Sequence, residues 1–281
     1  MSYWLGVGLV VSAFAAAGVA AGWAQRRLGL VSVAHGLVMG SSAYVFAILA
    51  AKGWQPGLAM IAGILFGVVG AVGLALASAK VVAEDYALLS FAGQMAWIGL
   101  VVSARPITGG VLGIAGVPVP PFSSAIGVAE ASLVWATTML AGLVFFLAFE
   151  KVSGLSLGAV VVARSGELAS TLGLPTTAIR ATVGSAYGIA LGGSGVLLAS
   201  YLSFLGPDSF GIDISVGVLA AAFMAVWRLW AGAVASAVLF GLPETLRLLD
   251  ISYATSGFVR QVVGGLALMV TAWALTRHRR S

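Results

Sequence analysis

Charge is what this sequence has least of. Of 281 residues only 8% are Asp, Glu, Lys or Arg, 14 basic and 9 acidic side chains, while 60% are hydrophobic. Soluble domains carry about 25% charged and about 45–50% apolar residues. So few charges cannot coat a water-soluble globule, which excludes a soluble enzyme, a disordered chain and a coiled coil. Cysteine is absent, excluding disulfides, thiolate metal sites and a cysteine nucleophile. Lysine occurs only at Lys52, Lys80 and Lys151, never after a glycine, so the chain has no P-loop. GGSGV at 192–196 sits inside an apolar run without that lysine. His35 and His278 are the only histidines, and there is no HExxH, no GxSxG and no cluster of metal-ligating side chains. The expectation is a chain that is not an enzyme, with no catalytic residue, metal site or cofactor of its own.

What is present is long apolar runs. Nine can be read, at 4–23, 29–50, 57–79, 86–104, 128–149, 181–204, 212–227, 229–241 and 258–276. A helix crossing ~30 Å of hydrocarbon needs about 20 apolar residues, and most of the runs meet that. The alternating pattern of a β-barrel strand is missing. The predicted fold class is therefore all-α: one polytopic transmembrane helical bundle over 1–281, about eight or nine spans, some short or broken. The runs at 212–227 and 229–241 are the short ones, and cross fully only in a thinned bilayer or as broken half-spans. The 38 glycines suit close backbone approach between helices. Gly18/Gly22, Gly36/Gly40, Gly63/Gly67 and Gly188/Gly192 have the small-xxx-small spacing for it.

Orientation follows from the basic residues. No Lys or Arg precedes the first run, and Arg26 and Arg27 follow it; a cleavable signal has its charge first. The run reads as a retained span with its N-terminus outside. Arg26, Arg27, Lys80, Lys151, Arg164, Arg180, Arg228, Arg277, Arg279 and Arg280 then lie inside, and Lys52, Arg105, Arg247 and Arg260 outside. The positive-inside rule is obeyed, and the net charge of +5 reads as topology control rather than nucleic-acid binding.

Two loops and a few buried polar groups carry the rest. The outer loop 105–127 is rich in Gly and Pro, and Pro118, Pro120 and Pro121 preclude a regular helix there. The inner loop 150–180 contains SGELASTLGLP at 165–175. Ser165 is an N-cap, and Gly173 with Pro175 stops the helix, predicting a two-turn helix on the cytoplasmic face, suited to docking a cytosolic partner. Within the spans, Ser32, His35 and Gly36 share one helical face by their spacing. Either this face, with Ser41 and Tyr44, lines a polar path, or a neutral imidazole hydrogen-bonds a neighbouring helix. Gln94 in SFAGQMAW leaves the same two readings open, since a polar group is costly in hydrocarbon. Trp4, Trp54, Trp97 and Tyr44 suit interface anchoring or packing, and Arg228 a snorkelling boundary charge.

Several segments, in order, resemble the membrane permease subunits of branched-chain amino-acid ABC importers, whose relatives handle urea and short amides. They are GLVSVAHGLVMGSSAY (29–44), EDYALLSFAGQM (84–95), ITGGVLGIAGVPVP (107–120), GELASTLGLPTTAIR (166–180), and LWAGAV (229–234) followed by LPETLR (242–247). Where that family has Gly-Gly-x-Gly before Leu-Trp, this chain has Met224, Ala225, Val226 and Trp227. The resemblance implies a heterodimer with a second, paralogous permease, two cytosolic ATPase subunits that bind the ATP, and an external solute-binding protein, in a bacterial-type inner membrane with the C-terminus cytoplasmic. It implies a substrate pathway near Ser32, His35, Gly36, Ser41, Tyr44, Gln94, Thr108, Gly109 and Gly110. It assigns ATPase coupling to Arg164, Glu167, Leu168, Leu172, Gly173 and Leu174. The alternative class is a secondary transporter driven by an ion gradient, against which the scarcity of acids within the spans counts.

Overall fold

The computed structural model describes residues 2–29, 31–118 and 155–246, with isolated positions and the helical stretch 136–142 between 127 and 148, and four positions beyond 261. The spans expected at 128–149 and 258–276 lie largely outside the described residues. The helices are α1 (Ser2–Leu28), α2 (His35–Ala51), α3 (Pro56–Ala77), α4 (Ala83–Ser103), α5 (Arg105–Thr108), α6 (Leu155–Arg164), α7 (Gly166–Thr171), α8 (Thr176–Leu202), α9 (Ile212–Trp227), α10 (Leu229–Ser236) and α11 (Leu242–Leu246). A π-helical turn, Ala237–Gly241, joins α10 to α11. The strands β1 (Ile114–Ala115) and β2 (Phe204–Leu205) form a two-stranded antiparallel ribbon, Ile114 opposite Leu205 and Ala115 opposite Phe204.

Five stretches are long and apolar enough to cross a membrane: Gly6–Leu28, Pro56–Ala77, Glu84–Ser103, Thr176–Leu202 and Pro207–Trp227. The molecule is thus an all-α membrane protein, with five such spans among the described residues. Two shorter apolar helices, His35–Ala51 and Leu229–Thr245, complete the set. The run at 29–50 is not one helix. Gly29 closes α1 in the left-handed region at φ 70°, and α2 starts only at His35.

Small residues set the packing. All four predicted glycine pairs are contact faces. Gly188 and Gly192 of α8 lie on Val68 and Ile64 of α3, Gly63 and Gly67 of α3 on Ser42 and Phe46 of α2, and Gly18 and Gly22 of α1 on Ala221 and Ala225 of α9. Gly36 and Gly40 of α2 meet Phe210. A methyl group on Gly188 would sit 2.7 Å from the Val68 Cα, so the backbones meet at distances no larger side chain permits.

These contacts align the helix ends. The ends of α1, α3 and α9 gather with the starts of α4 and α8. Arg26 Nη2 donates to the Ala225 carbonyl at 2.6 Å, and Arg180 Nη1 donates to Ser78 Oγ at 2.6 Å. Arg26, Arg27, Lys80, Arg180 and Arg228 therefore share one end of the bundle with Glu84 and Asp85, whereas Lys52 and Arg105 lie at the other. The segment 203–211 returns from the end of α8 into the bundle, so α9 begins beside the start of α2.

Candidate functional site

The start of α2 is the polar centre of the molecule. A helix start leaves its first backbone N–H groups unpaired, and burial makes that costly. Here the start is buried and the N-cap position is Ala34, which offers no capping side chain. Side chains from elsewhere close it. The Val33 N–H donates to Ser90 Oγ at 2.9 Å, the Gly36 N–H to Ser215 Oγ at 2.8 Å and the Leu37 N–H to Gln94 Oε1 at 2.6 Å. Ser32 Oγ takes the Ala34 N–H at 3.3 Å. Gln94 also donates through Nε2 to the Phe210 carbonyl at 3.1 Å. One fully buried amide thus ties the middle of α4 to the start of α2 and to the turn that opens α9. Glycine is required at 36, because a methyl there would lie 2.6 Å from the Phe210 carbonyl oxygen and 2.7 Å from Ser215 Oγ.

His35 is 3% exposed, with Nδ1 2.7 Å from the Tyr187 hydroxyl. Its Nε2 has no hydrogen-bond partner among the described residues. The ring borders a cavity of about 30 Å³ lined by Gln25, Ser32, Tyr86 and Tyr187 together with alanines and leucines of α1 and α3 and a glycine of α8. That volume holds one or two waters and is too small for an amino acid.

The remaining expected path residues separate into three places. Ser41 is buried and turned onto its own helix, donating to the Val38 carbonyl at 3.1 Å. Tyr44 is buried edge-on against Trp97, ring centroids 5.8 Å apart. It packs in the interior instead of anchoring at the interface. Thr108 Oγ1 lies 2.6 Å from the Val101 carbonyl and 2.9 Å from that of Ala104, and accepts the Gly110 N–H at 3.2 Å. With Gly109 and Gly110 in the left-handed region, Thr108 forms the turn that ends α4 and α5 and leads to the β-ribbon. The structure brings Ser32, His35, Gly36 and Gln94 together, and leaves Thr108, Gly109 and Gly110 in a separate loop.

The loop at 150–180 carries its short helix where expected. Ser165, extended at φ −158° and ψ 110°, accepts the Leu168 N–H on Oγ at 3.2 Å, and Gly173 turns the chain out at φ 73°. Ala169 packs into a small cluster with Ala159, Val162 and Ile179, and Leu174 lies against it. Arg164 and Glu167 face outward with Leu168 (54% exposed) and Leu172 (63%). Arg180, read from sequence only as a topology charge, is buried; its guanidinium reaches Ser78 at the carbonyl end of α3, where a cation is favourable. Ser90, Ser215, Tyr187 and the Phe210 carbonyl were also missed. Ser90 and Gln94, four apart on α4, were the one sequence signal that this helix presents a polar stripe inward.

Among the described residues no group of three His, Asp or Glu side chains is placed to hold a metal. Compared with protein-family models, with curated proteins and with solved structures, the chain matches none.

Proposed function

We propose that this chain is the membrane permease subunit of an ATP-driven importer for a small solute, a branched-chain amino acid or a urea-like or short-amide compound. The reading rests on the ordered segments that resemble that family, and one observation carries it. A short helix, α7, is capped by Ser165 at the basic end of the bundle and holds Leu168 and Leu172 out of the fold. Two exposed leucines beside Glu167 on a helix too short to span suit a socket on a cytosolic ATPase. The absence of a P-loop from the sequence fits energy supplied by another chain. In this reading α7 lies in the cytoplasm and the N-terminus outside, in a bacterial-type inner membrane. A second permease completes the pathway, and the outer loop around the β-ribbon receives a solute-binding protein.

The polar centre is closed in this conformation. A path along α2 opens only when α4 and α9 draw away from its start, exchanging the Gln94 and Ser215 bonds for solute or water. Affinity purification of the tagged chain from its native cell, with mass spectrometry of what accompanies it, tests the proposal. Two P-loop ATPases and a second permease are expected. Recovery of the chain alone, with uptake that an uncoupler abolishes at constant ATP, overturns it in favour of ion-gradient transport.

A further inference from the structure

A second feature lies on the outer surface of the α9–α10 hairpin. Arg228 makes the reversal in extended backbone, φ −144° and ψ 128°. Its N–H closes α9 on the Met224 carbonyl at 3.3 Å, and its carbonyl accepts the Ala231 N–H at 2.9 Å to open α10. Beside this turn runs an apolar groove of about 280 Å³, lined by Met224, Trp230, Ala231, Val234, Val238 and Leu239. Positions 231, 234 and 238 are three and four apart, so the trough runs along the axis of α10. It opens away from the bundle, with Trp230 62% and Val234 53% exposed.

The mouth of the groove is positive. Arg228 is exposed, between Trp227 and Trp230, which are also exposed. The Arg26 guanidinium sits on the Ala225 carbonyl one turn away. No Asp or Glu occurs from Ile214 to Pro243, so nothing within the hairpin neutralises this end. Tryptophans of this kind sit at headgroup level, which puts Arg228 at the depth of lipid phosphates and the trough at the depth of acyl chains. We propose that this is a binding site for one anionic phospholipid, its headgroup on Arg228 between the two indoles and one acyl chain along the groove. Acyl burial against protein gains little over burial in the bilayer, so selectivity comes from the headgroup. A basic residue near an anionic surface is worth about 1 kcal/mol, roughly a fivefold preference.

The proposal does not depend on the transport reading. Its test is native mass spectrometry of the full chain, or of its complex, released from mild detergent after equilibration with equal amounts of phosphatidylglycerol and phosphatidylcholine of identical chains. One retained phosphatidylglycerol, in about fivefold excess over phosphatidylcholine, is expected. Arg228→Gln equalises the two lipids, and Val234→Trp, which fills the trough, removes the bound lipid. Equal retention by the unsubstituted chain, or a preference that survives Arg228→Gln, overturns the site. Should either variant fail to fold, a photo-crosslinker at Val234 in the otherwise native chain decides. Capture of phosphatidylglycerol supports the site, whereas capture of a polypeptide alone makes the groove a subunit interface and overturns it.

Discussion

Among the described spans of this protein, the most hydrophobic is one of the most exposed, and the least hydrophobic is one of the most buried. α3 has a mean hydropathy of 2.4 in its most apolar stretch, of which 33% is buried; α8 has 1.3, with 72% buried. In water the order would be reversed. Lipid tails are as apolar as leucine, so drawing Leu65, Phe66 or Val69 of α3 inward gains nothing. What gains in the interior is close packing and completed hydrogen bonding. α8 supplies both: Gly184, Gly188, Gly192 and Gly195 meet neighbouring backbone, and Tyr187 meets His35. Hydropathy therefore tells where a helix runs, and small and hydroxyl-bearing residues tell which side of it faces in.

The sharpest way to break this comparison is to make α8 more hydrophobic. Gly195 faces the Met39 backbone, and a Cβ there would lie 2.8 Å from the Met39 Cα and closer still to its carbonyl. Backbone cannot yield as a flexible side chain does, so Gly195→Leu destabilises by more than about 3 kcal/mol. The measurement is the unfolding free energy in detergent, or the yield of folded protein. A Gly195→Leu variant as stable as the original would mean that hydropathy, not fit, governs the interior.

The second test removes a polar group from the centre. Gln94→Leu raises the hydropathy of α4 while leaving the Leu37 N–H and the Phe210 carbonyl without their partner. A buried unpaired group costs about 1–3 kcal/mol, so the variant loses roughly 2–4 kcal/mol despite its more apolar side chain. Hydrogen exchange at the start of α2 rises with it, a readout that a merely loosened core would not confine to residues 33–37.

Much of this was legible in the sequence, and the reason the rest was not is specific. Hydropathy located α3, α4, α8 and α9, the glycine spacing marked real contact faces, and the cap at Ser165 with the stop at Gly173 placed α7 to within a residue or two. The break before α2 was hidden. Nothing polar enough interrupts 29–50, and the groups that stabilise the break, Ser90, Gln94 and Ser215, lie 57 to 179 residues further along the chain. The same distance hid the role of Ser32, His35 and Gln94. They gather at one helix start, where in this conformation Ser32 and Gln94 close backbone groups and His35 meets the Tyr187 hydroxyl. Tyr44 stayed open between interface and packing for a related reason: an aromatic with a hydroxyl suits both equally, and only the contact with Trp97 decides.

A smaller effect belongs to the short helix α7, which lies at one end of the bundle. Ser165→Ala removes the one side-chain cap of α7 and costs about 1 kcal/mol, felt in that helix rather than in the bundle. Hydrogen exchange at Leu168 and Ala169 accelerates about fivefold, while the melting of the spans is unchanged. Equal loss across the bundle would mean that α7 is integral to it and not a separately supported platform.

The smallest effect is expected where the hydropathy is highest. Val69 on α3 is 69% exposed, and Val69→Ala deletes two methyl groups. In a soluble core such a change leaves a cavity and costs 1 kcal/mol or more by the usual range of about 0.5–1.5 for even one methyl. Here lipid fills the space left behind, and helix propensity favours alanine, so the net change stays within about 0.5 kcal/mol. The measurement is the same unfolding titration used for Gly195→Leu, run in one detergent. A loss at Val69 approaching that at Gly195 would show that the exposed face of α3 is covered by protein in the assembled state rather than by lipid, and would turn the contrast between the two helices into a map of where a partner sits.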